Sequence, residues 1–246
     1  MIASESCHFY DREGNPQYTY INKQGKECKT TLTRAKKEGY LPSVTTITKL
    51  LAKPGLDKWR QIETIMACLT MPIIADEPED EYIERIIQDS DSRSKEARDR
   101  GTDIHGYIER GFQGEILDGE ANLYFRSVDK IIWDECGLQE WKAEKSFASS
   151  LGYGGKVDLH NDNFLIDFKG TDKPLDSIKT YPEQAMQLAA YDAGIDSCSR
   201  KCGICYVHRD TAESKLIWID EKELMKGQEV FFKLLDIYYI QTGLIR

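Results

Sequence analysis

One segment, residues 154–169, limits what this chain can fold into more than any other. Its sequence is GGKVDLHNDNFLIDFK, with strand-like residues on both sides of an Asn-Asp-Asn turn. This pattern predicts two short β-strands joined by a tight hairpin turn. If Asp162 and Asn163 form a two-residue turn, Asn161 pairs with Phe164, and the register of the whole hairpin follows.

Charged side chains of this hairpin are expected to meet on one patch of a β-sheet. Alternation along the second strand places Asp167 and Lys169 on one face and turns Phe168 into the core. The predicted register puts Asp158 directly across from Asp167. Two carboxylates suit a hard cation such as Mg²⁺, beside which a lysine can position water or stabilise developing charge. The alternative is a surface hairpin with an ordinary Asp–Lys ion pair.

Composition sets outer limits on the class of protein. The chain has 246 residues, 40% of them hydrophobic, which suits one large domain. We expect no membrane association, because no apolar run approaches the roughly 20 residues that span a bilayer and the N-terminus lacks a secretory pattern. Seven cysteines without a framework predict reduced thiols and a cytoplasmic location, or the host cytoplasm for a viral protein.

The net charge of −9 does not by itself predict a nucleic-acid-binding protein. A local basic run at residues 23–37 is compatible with one, although a solvated loop and helix end explain it equally well. Acidic residues concentrate at 76–91, and this stretch is expected to lie away from any phosphate backbone.

Hydrophobic periodicity predicts an α/β protein with a central sheet flanked by helices. We treat residues 1–246 as a single domain, with an irregular or weakly β extension at 1–40, a mainly helical portion at 41–137 and the sheet core with its flanking helices at 138–246. One helix is predicted to begin at Ser43. Further helices are predicted at 56–69, 82–110, 122–135 (ending at Gly137), 183–194 and 221–239. Strands are predicted at 141–147, in the hairpin, and near 203–208 and 215–219.

Three further features can supply chemistry beside the hairpin. His105 and Glu109 share a helix face, and a neutral imidazole there can be a metal ligand or an ordinary surface histidine. Gln187 and Tyr191 lie one turn apart on a helix and can hold a phosphate or a lysine by hydrogen bonds, or be incidental polar residues. Glu144, on the preceding strand, either completes the acidic cluster or pairs with a neighbouring lysine.

The order of these motifs resembles the PD-(D/E)xK nuclease superfamily, and within it the RecB-like exonuclease branch. The resemblance rests on five motifs in order: Gly101-Thr-x-x-His105, Glu144-x-x-Phe147, Gly155-x-x-Asp158, Asp167-x-Lys169 and Gln187-x-x-x-Tyr191. The segments Leu41-Pro-Ser-Val-Thr-Thr-Ile47 and Leu56-Asp-Lys-Trp59 are similar to those of phage exonucleases and the mitochondrial genome maintenance exonuclease. The match runs from about residue 41 to 208.

This resemblance implies a restriction-endonuclease-like core, a central mixed β-sheet flanked by helices, and Mg²⁺- or Mn²⁺-dependent hydrolysis of DNA. By position, the metal ligands would be the side chains of His105, Asp158 and Asp167 and the carbonyl of Phe168. Lys169 would be the catalytic lysine, supported by Gln187 and Tyr191. The chain departs from the family at Gly170, where relatives commonly carry threonine, and Thr171 follows one position later.

The expected function is a metal-dependent DNA exonuclease that acts on single-stranded or duplex ends in recombination, repair or replication. DNA is the expected partner, together with replication or recombination proteins. Two alternatives remain: a structure-specific endonuclease on the same core, and a catalytically silent nucleic-acid-binding protein.

The cysteines have their own resemblance. Cys198-x3-Cys202-x2-Cys205 resembles the cysteines of RecB-like relatives such as the Cas4 nucleases, which carry a four-cysteine iron–sulfur cluster. Cys7 or Cys28 would have to supply the fourth thiolate. Because the odd spacing of Cys202 and Cys205 points them to opposite faces of a strand, we expect buried free thiols rather than a cluster.

Overall fold

The computed structural model describes residues 8–52, 54–195 and 200–246, with the side chains of 93, 94 and 96–98 left undescribed. The chain forms two compact units. The first combines the residues up to Leu50 with Gly106–Arg246, and the second is Leu51–His105. The assignment of the whole chain to one nuclease domain stays a prediction.

The N-terminal segment contains more regular structure than the sequence predicted. It forms strands β1 (Phe9–Tyr10), β2 (Thr19–Ile21), β3 (Glu27–Lys29) and β4 (Leu41–Pro42), with helices α1 (Leu32–Glu38) and α2 (Val44–Thr48). The irregular extension predicted for residues 1–40 is therefore wrong for α1, which Thr31 caps and Gly39 ends in the left-handed conformation. Only Ala35 of this helix is buried, so it lacks the apolar stripe that reveals a helix in a sequence.

Helix α2 begins where predicted and is short. The Ser43 hydroxyl accepts a hydrogen bond from the Thr46 N–H at 3.0 Å, as expected of an N-cap. The helix ends at Thr48, after five residues.

The second unit is helical. It contains α3 (Pro54–Thr70) and most of α4 (Glu79–Phe112), a helix that continues into the first unit. Ala67 is the buried residue of α3. Arg85 on α4 forms a bidentate ion pair with Glu77, at 2.6 and 2.7 Å. No helix in the described part of the chain is long and apolar enough to cross a membrane.

The core of the first unit is a five-stranded mixed sheet. Its strands are β5 (Lys142–Ser149), β6 (Tyr153–His160), β7 (Phe164–Thr171), β8 (Lys201–His208) and β9 (Ser214–Trp218), in that spatial order. Neighbouring strands are antiparallel except β7 and β8, which are parallel along all of β7. A parallel pair needs a crossover, and α6 (Pro182–Ile195) lies in this connection.

Helices cover this sheet. α6 packs against β5, β6, β7 and β8 and against the C-terminal helix α7 (Glu221–Thr242), whereas α5 (Gly119–Cys136) packs against β8 and β9. Gly137 ends α5 with a φ of 69°, as the sequence predicted. The predicted fold class, a central mixed sheet flanked by helices after an N-terminal helical portion, is confirmed.

The N-terminal segment packs directly on the central sheet. A Cβ atom at Gly154 of β6 would lie 2.7 Å from the Cβ and Cγ atoms of Tyr10, and one at Gly14 would lie 2.9 Å from the backbone of Phe147. Ser43 forms an isolated parallel bridge with Gly154. These close approaches make the segment part of the core.

Two cysteines lie inside β8 as buried thiols. Cys202 and Cys205 are 1% and 0% exposed, and burial raises the pKa of each thiol to about 12. Cys198 and Cys7, the latter one of the two candidates for the fourth thiolate, lie outside the described residues. The preference for buried free thiols at Cys202 and Cys205 is consistent with this burial.

Substituting Gly227 of α7 by alanine should destabilise the protein, because a Cβ there would lie 2.8 Å from the backbone nitrogen of Met186 on α6. We expect Gly227→Ala to lower the free energy of unfolding by about 1–3 kcal/mol, measured by urea denaturation followed by circular dichroism. Gly106→Ala is the matched control, since a Cβ there would meet no atom within 4 Å. This variant should raise the free energy of unfolding by up to about 1 kcal/mol. Equal stability of the two variants would contradict the close contact between α6 and α7.

Candidate active site

The hairpin pairs in the predicted register, but its ladder ends before the acidic residues. Leu159 lies opposite Ile166 and His160 opposite Leu165, and the Asn161 N–H donates to the Phe164 carbonyl at 3.0 Å. The ladder goes no further along β6 and β7. The predicted register is confirmed, but Asp158 and Asp167, which it places opposite each other, lie beyond the last pair of the ladder.

A side chain replaces the missing ladder bond. The Phe168 N–H donates to Asp158 Oδ2 at 2.8 Å. A buried backbone N–H needs an acceptor, and this bond supplies one where β6 no longer pairs with β7. It also fixes the Asp158 carboxylate beside the strand that carries Asp167 and Lys169.

Asp167 and Lys169 form the centre of a hydrogen-bonded cluster with α6. Lys169 Nζ lies 2.5 Å from Asp167 Oδ2, and the Gln187 amide donates to Asp167 Oδ1 at 3.1 Å. The same amide donates to the Tyr191 hydroxyl at 2.9 Å. The structure thus brings together four residues that the sequence singled out: Asp167, Lys169, Gln187 and Tyr191.

Burial and charge determine the protonation of this cluster. The Asp167 side chain is 3% exposed, whereas that of Lys169 is 33% exposed. Burial alone would lower the pKa of Lys169, but the charges of Asp167 and Asp158 outweigh it and raise the pKa above the ordinary 10.5. Burial and the same two carboxylates raise the pKa of Tyr191 well above 10.0. Lys169 is therefore cationic and Tyr191 a neutral phenol at physiological pH.

Glu144 adds a third carboxylate and has an unusual backbone. One of its carboxylate oxygens lies within 4.8 Å of one from Asp158. Its φ is +55°, in the left-handed region that non-glycine residues rarely adopt, and it occupies the middle of β5. Its side chain is 12% exposed and forms an ion pair with Lys156 of β6. Glu144 therefore lies beside the acidic residue Asp158 and also pairs with a neighbouring lysine, the two alternatives that the sequence left open.

The remaining predicted residues lie on α4 and along β7. His105 is on α4 at the end of the second unit, and Glu109, one turn later, accepts a hydrogen bond from Gln113 at 3.0 Å. The Phe168 ring is buried, as predicted, and stacks on Phe112 of α4 with centroids 6.4 Å apart. The Phe168 carbonyl as a metal ligand stays a prediction.

The departure at Gly170 and Thr171 has a local explanation. A Cβ at Gly170 would lie 3.1 Å from Arg209 Nε, and the Arg209 guanidinium donates to the Gly170 carbonyl at 3.2 Å. The Thr171 hydroxyl accepts from the Lys173 N–H at 3.0 Å, which shapes the turn after β7. The hydroxyl of Thr171 therefore has a structural partner within its own loop.

Sequence analysis missed two determinants of the site. The first is Lys156, which lies opposite Ser146 in the β5–β6 register and pairs with Glu144 two residues away. The second is Gly155, where a Cβ would lie 2.8 Å from ring atoms of Tyr191 and Phe147. The two adjacent glycines, Gly154 and Gly155, were the available signal, since consecutive glycines in a strand indicate close approach of other groups.

Comparisons with known proteins give structural similarity alone. No protein-family model matches the chain, and the comparison with curated proteins gives no significant match. A protein of Eubacterium rectale, provisionally named an exonuclease, is 14% identical with a TM-score of 0.40, over 60% of this chain and 69% of that one. An alkaline exonuclease of Laribacter hongkongensis is 15% identical with a TM-score of 0.37, over 55% and 77% of the two chains.

A third solved structure, SSO0001, is 17% identical with a TM-score of 0.26, over 46% of this chain and 57% of that one. All three TM-scores lie below 0.5.

The strained backbone of Glu144 leads to a stability prediction. Replacing Glu144 by glycine or by alanine removes the same carboxylate, but only glycine adopts a φ of +55° at little cost. We expect Glu144→Gly to be more stable than Glu144→Ala by about 1 kcal/mol, measured by chemical denaturation. At Lys145, which has no positive φ, the order should reverse, with alanine the more stable. Equal stability of the two Glu144 variants would contradict the left-handed backbone.

Proposed function

We propose that this chain is a metal-dependent deoxyribonuclease that hydrolyses phosphodiester bonds from DNA ends. The observations that carry the proposal are the approach of the Glu144 and Asp158 carboxylates to within 4.8 Å and the ion pair between Asp167 and Lys169 on the adjoining strand. A half-buried group of carboxylates beside a lysine suits divalent-metal chemistry better than simple binding of an anionic polymer, which acidic side chains would repel.

The donor set fits Mg²⁺ or Mn²⁺. These cations prefer oxygen ligands, and the carboxylates of Glu144 and Asp158 offer oxygens within 4.8 Å of each other. Asp167 of β7 offers a third carboxylate. It lies next to Phe168, whose N–H donates to Asp158 of the adjoining strand. When bound, a divalent cation would polarise the phosphodiester and lower the pKa of the attacking water.

His105 is the proposed imidazole ligand, as the resemblance of the Gly101-Thr-x-x-His105 motif implies. A neutral imidazole is a common metal ligand beside carboxylates.

Lys169 and its neighbours have distinct proposed roles. Because Lys169 stays protonated, it acts as a charge and hydrogen-bond donor to the phosphate or the attacking water, not as a general base. Gln187 and Tyr191 are positioning residues: the amide holds Asp167 and the phenol at once, which orients the carboxylate. A fixed carboxylate loses less conformational entropy when it binds a ligand.

Asp167→Asn tests the proposed activity directly. It removes the charge at nearly constant shape, so we expect Mg²⁺-dependent cleavage to fall at least about a hundredfold while the circular dichroism spectrum is unchanged. The substrates should be end-labelled linear single- and double-stranded DNA and circular single-stranded DNA. Asp172→Asn is the control, since Asp172 is 65% exposed and pairs with Arg209 outside the cluster.

Product sizes separate the proposal from its alternatives. An exonuclease shortens the linear strands progressively and leaves the circle intact. Cleavage of the circle would identify an endonuclease instead, and no product from the wild-type chain with Mg²⁺ or Mn²⁺ would reject catalysis altogether.

The charge on Lys169 predicts how its variants behave. Lys169→Met should lower the cleavage rate about a hundredfold, whereas Lys169→Arg should keep part of the activity because it keeps the charge. Equal loss of activity in the two variants would contradict this role, because arginine keeps the positive charge that methionine removes.

A further inference from the structure

An ion pair occupies the outer edge of the acidic cluster. The ammonium group of Lys156 contacts Glu144 Oε2, and the two side chains are 41% and 12% exposed respectively. The same glutamate offers a carboxylate oxygen within 4.8 Å of Asp158. One carboxylate therefore faces both a lysine and the second acidic side chain of the cluster.

The two sides of this ion pair differ in mobility. Glu144 is largely buried, and its Oε2 atom is shielded from solvent, so its carboxylate has little freedom to turn away. Lys156 has a flexible four-carbon stem and substantial exposure to water, and its ammonium group can leave at modest cost. Any cation that competes for Glu144 would thus displace the lysine rather than move the glutamate.

We infer that Lys156 competes with the divalent cation for Glu144, and that the displaced ammonium group then contacts a phosphate of the bound DNA strand. This inference rests on the proposed function, since it takes the acidic cluster to be the metal site. Lys156 would be a positioning residue that couples metal binding to substrate binding. Neither the hairpin motifs nor the proposed roles of Lys169, Gln187 and Tyr191 include it.

Local charge supports the second half of the inference. The site holds three carboxylates: Glu144 approaches Asp158 to within 4.8 Å, and Asp167 pairs with Lys169. A phosphate approaching this site benefits from each additional positive charge, and lysine is a common phosphate contact. Releasing Lys156 from Glu144 provides such a charge at the step where the substrate needs it.

Metal affinity without DNA is the primary test. Mn²⁺ binding should be measured by isothermal titration calorimetry for the wild type, Lys156→Met and Lys145→Met. Lys145 is an exposed lysine of β5 beside Glu144 in sequence, so its variant matches the loss of charge. Removing the competitor should tighten Mn²⁺ binding roughly three- to tenfold in Lys156→Met, with no such change in Lys145→Met.

A double-mutant cycle with Glu144→Gln isolates the competition. Glu144→Gln should weaken Mn²⁺ binding, and in its background Lys156→Met should have no further effect, because the contested carboxylate is gone. Single-turnover cleavage of linear DNA at saturating Mn²⁺ tests the phosphate contact. There Lys156→Met should be slower than the wild type, although its metal site is full.

Each outcome decides one part of the inference. An unchanged Mn²⁺ affinity in Lys156→Met, or an equal gain in Lys145→Met, overturns the competition. Tighter Mn²⁺ binding with an undiminished cleavage rate overturns the phosphate contact. A wild-type chain that neither binds Mn²⁺ nor cleaves DNA instead rejects the proposed function, which is a separate result.

Discussion

The hydrogen bond from the Phe168 N–H to the Asp158 carboxylate organises the candidate site. β7 pairs with β8 along its whole length, whereas its ladder with β6 ends at Leu159 and Ile166. Beyond that point the backbone of β7 must find another acceptor, because a buried N–H without one costs free energy. A carboxylate of β6 fulfils this need, and the requirement of the backbone thereby fixes a functional side chain.

The buried charge of Asp167 depends on this arrangement and on α6. An isolated ionised carboxylate at 2% exposure would be strongly unfavourable. Lys169 and Gln187 each satisfy one of its oxygens. The amide can do so only because α6 lies close to the sheet, with Gly155 leaving room for Tyr191 on one side and Gly227 allowing α7 to support the helix on the other. Small residues at two backbone contacts thus determine the geometry of the polar cluster.

Local sequence signals predicted the parts of the site that depend on local geometry. Alternation and turn residues gave the hairpin register, and helical spacing placed Gln187 and Tyr191 on one face. The end of the β6–β7 ladder could not be predicted, because it depends on the tertiary pairing of β6 with β5 and of β7 with β8. The positive φ of Glu144 could not be predicted either, because a glutamate rarely adopts the left-handed conformation. Helix α1 was not predicted because it buries one alanine and shows no apolar periodicity.

The packing of the N-terminal segment has a consequence for the order in which this protein folds. Tyr10 and Gly14 contact Gly154 and Phe147, residues that the ribosome adds much later. Contacts between such distant parts of a chain cannot form early, and they slow folding because a long loop must close first. The segment around Tyr10 and Gly14 must therefore wait, unpaired with the sheet, until β5 and β6 have been synthesised, and it joins the core late.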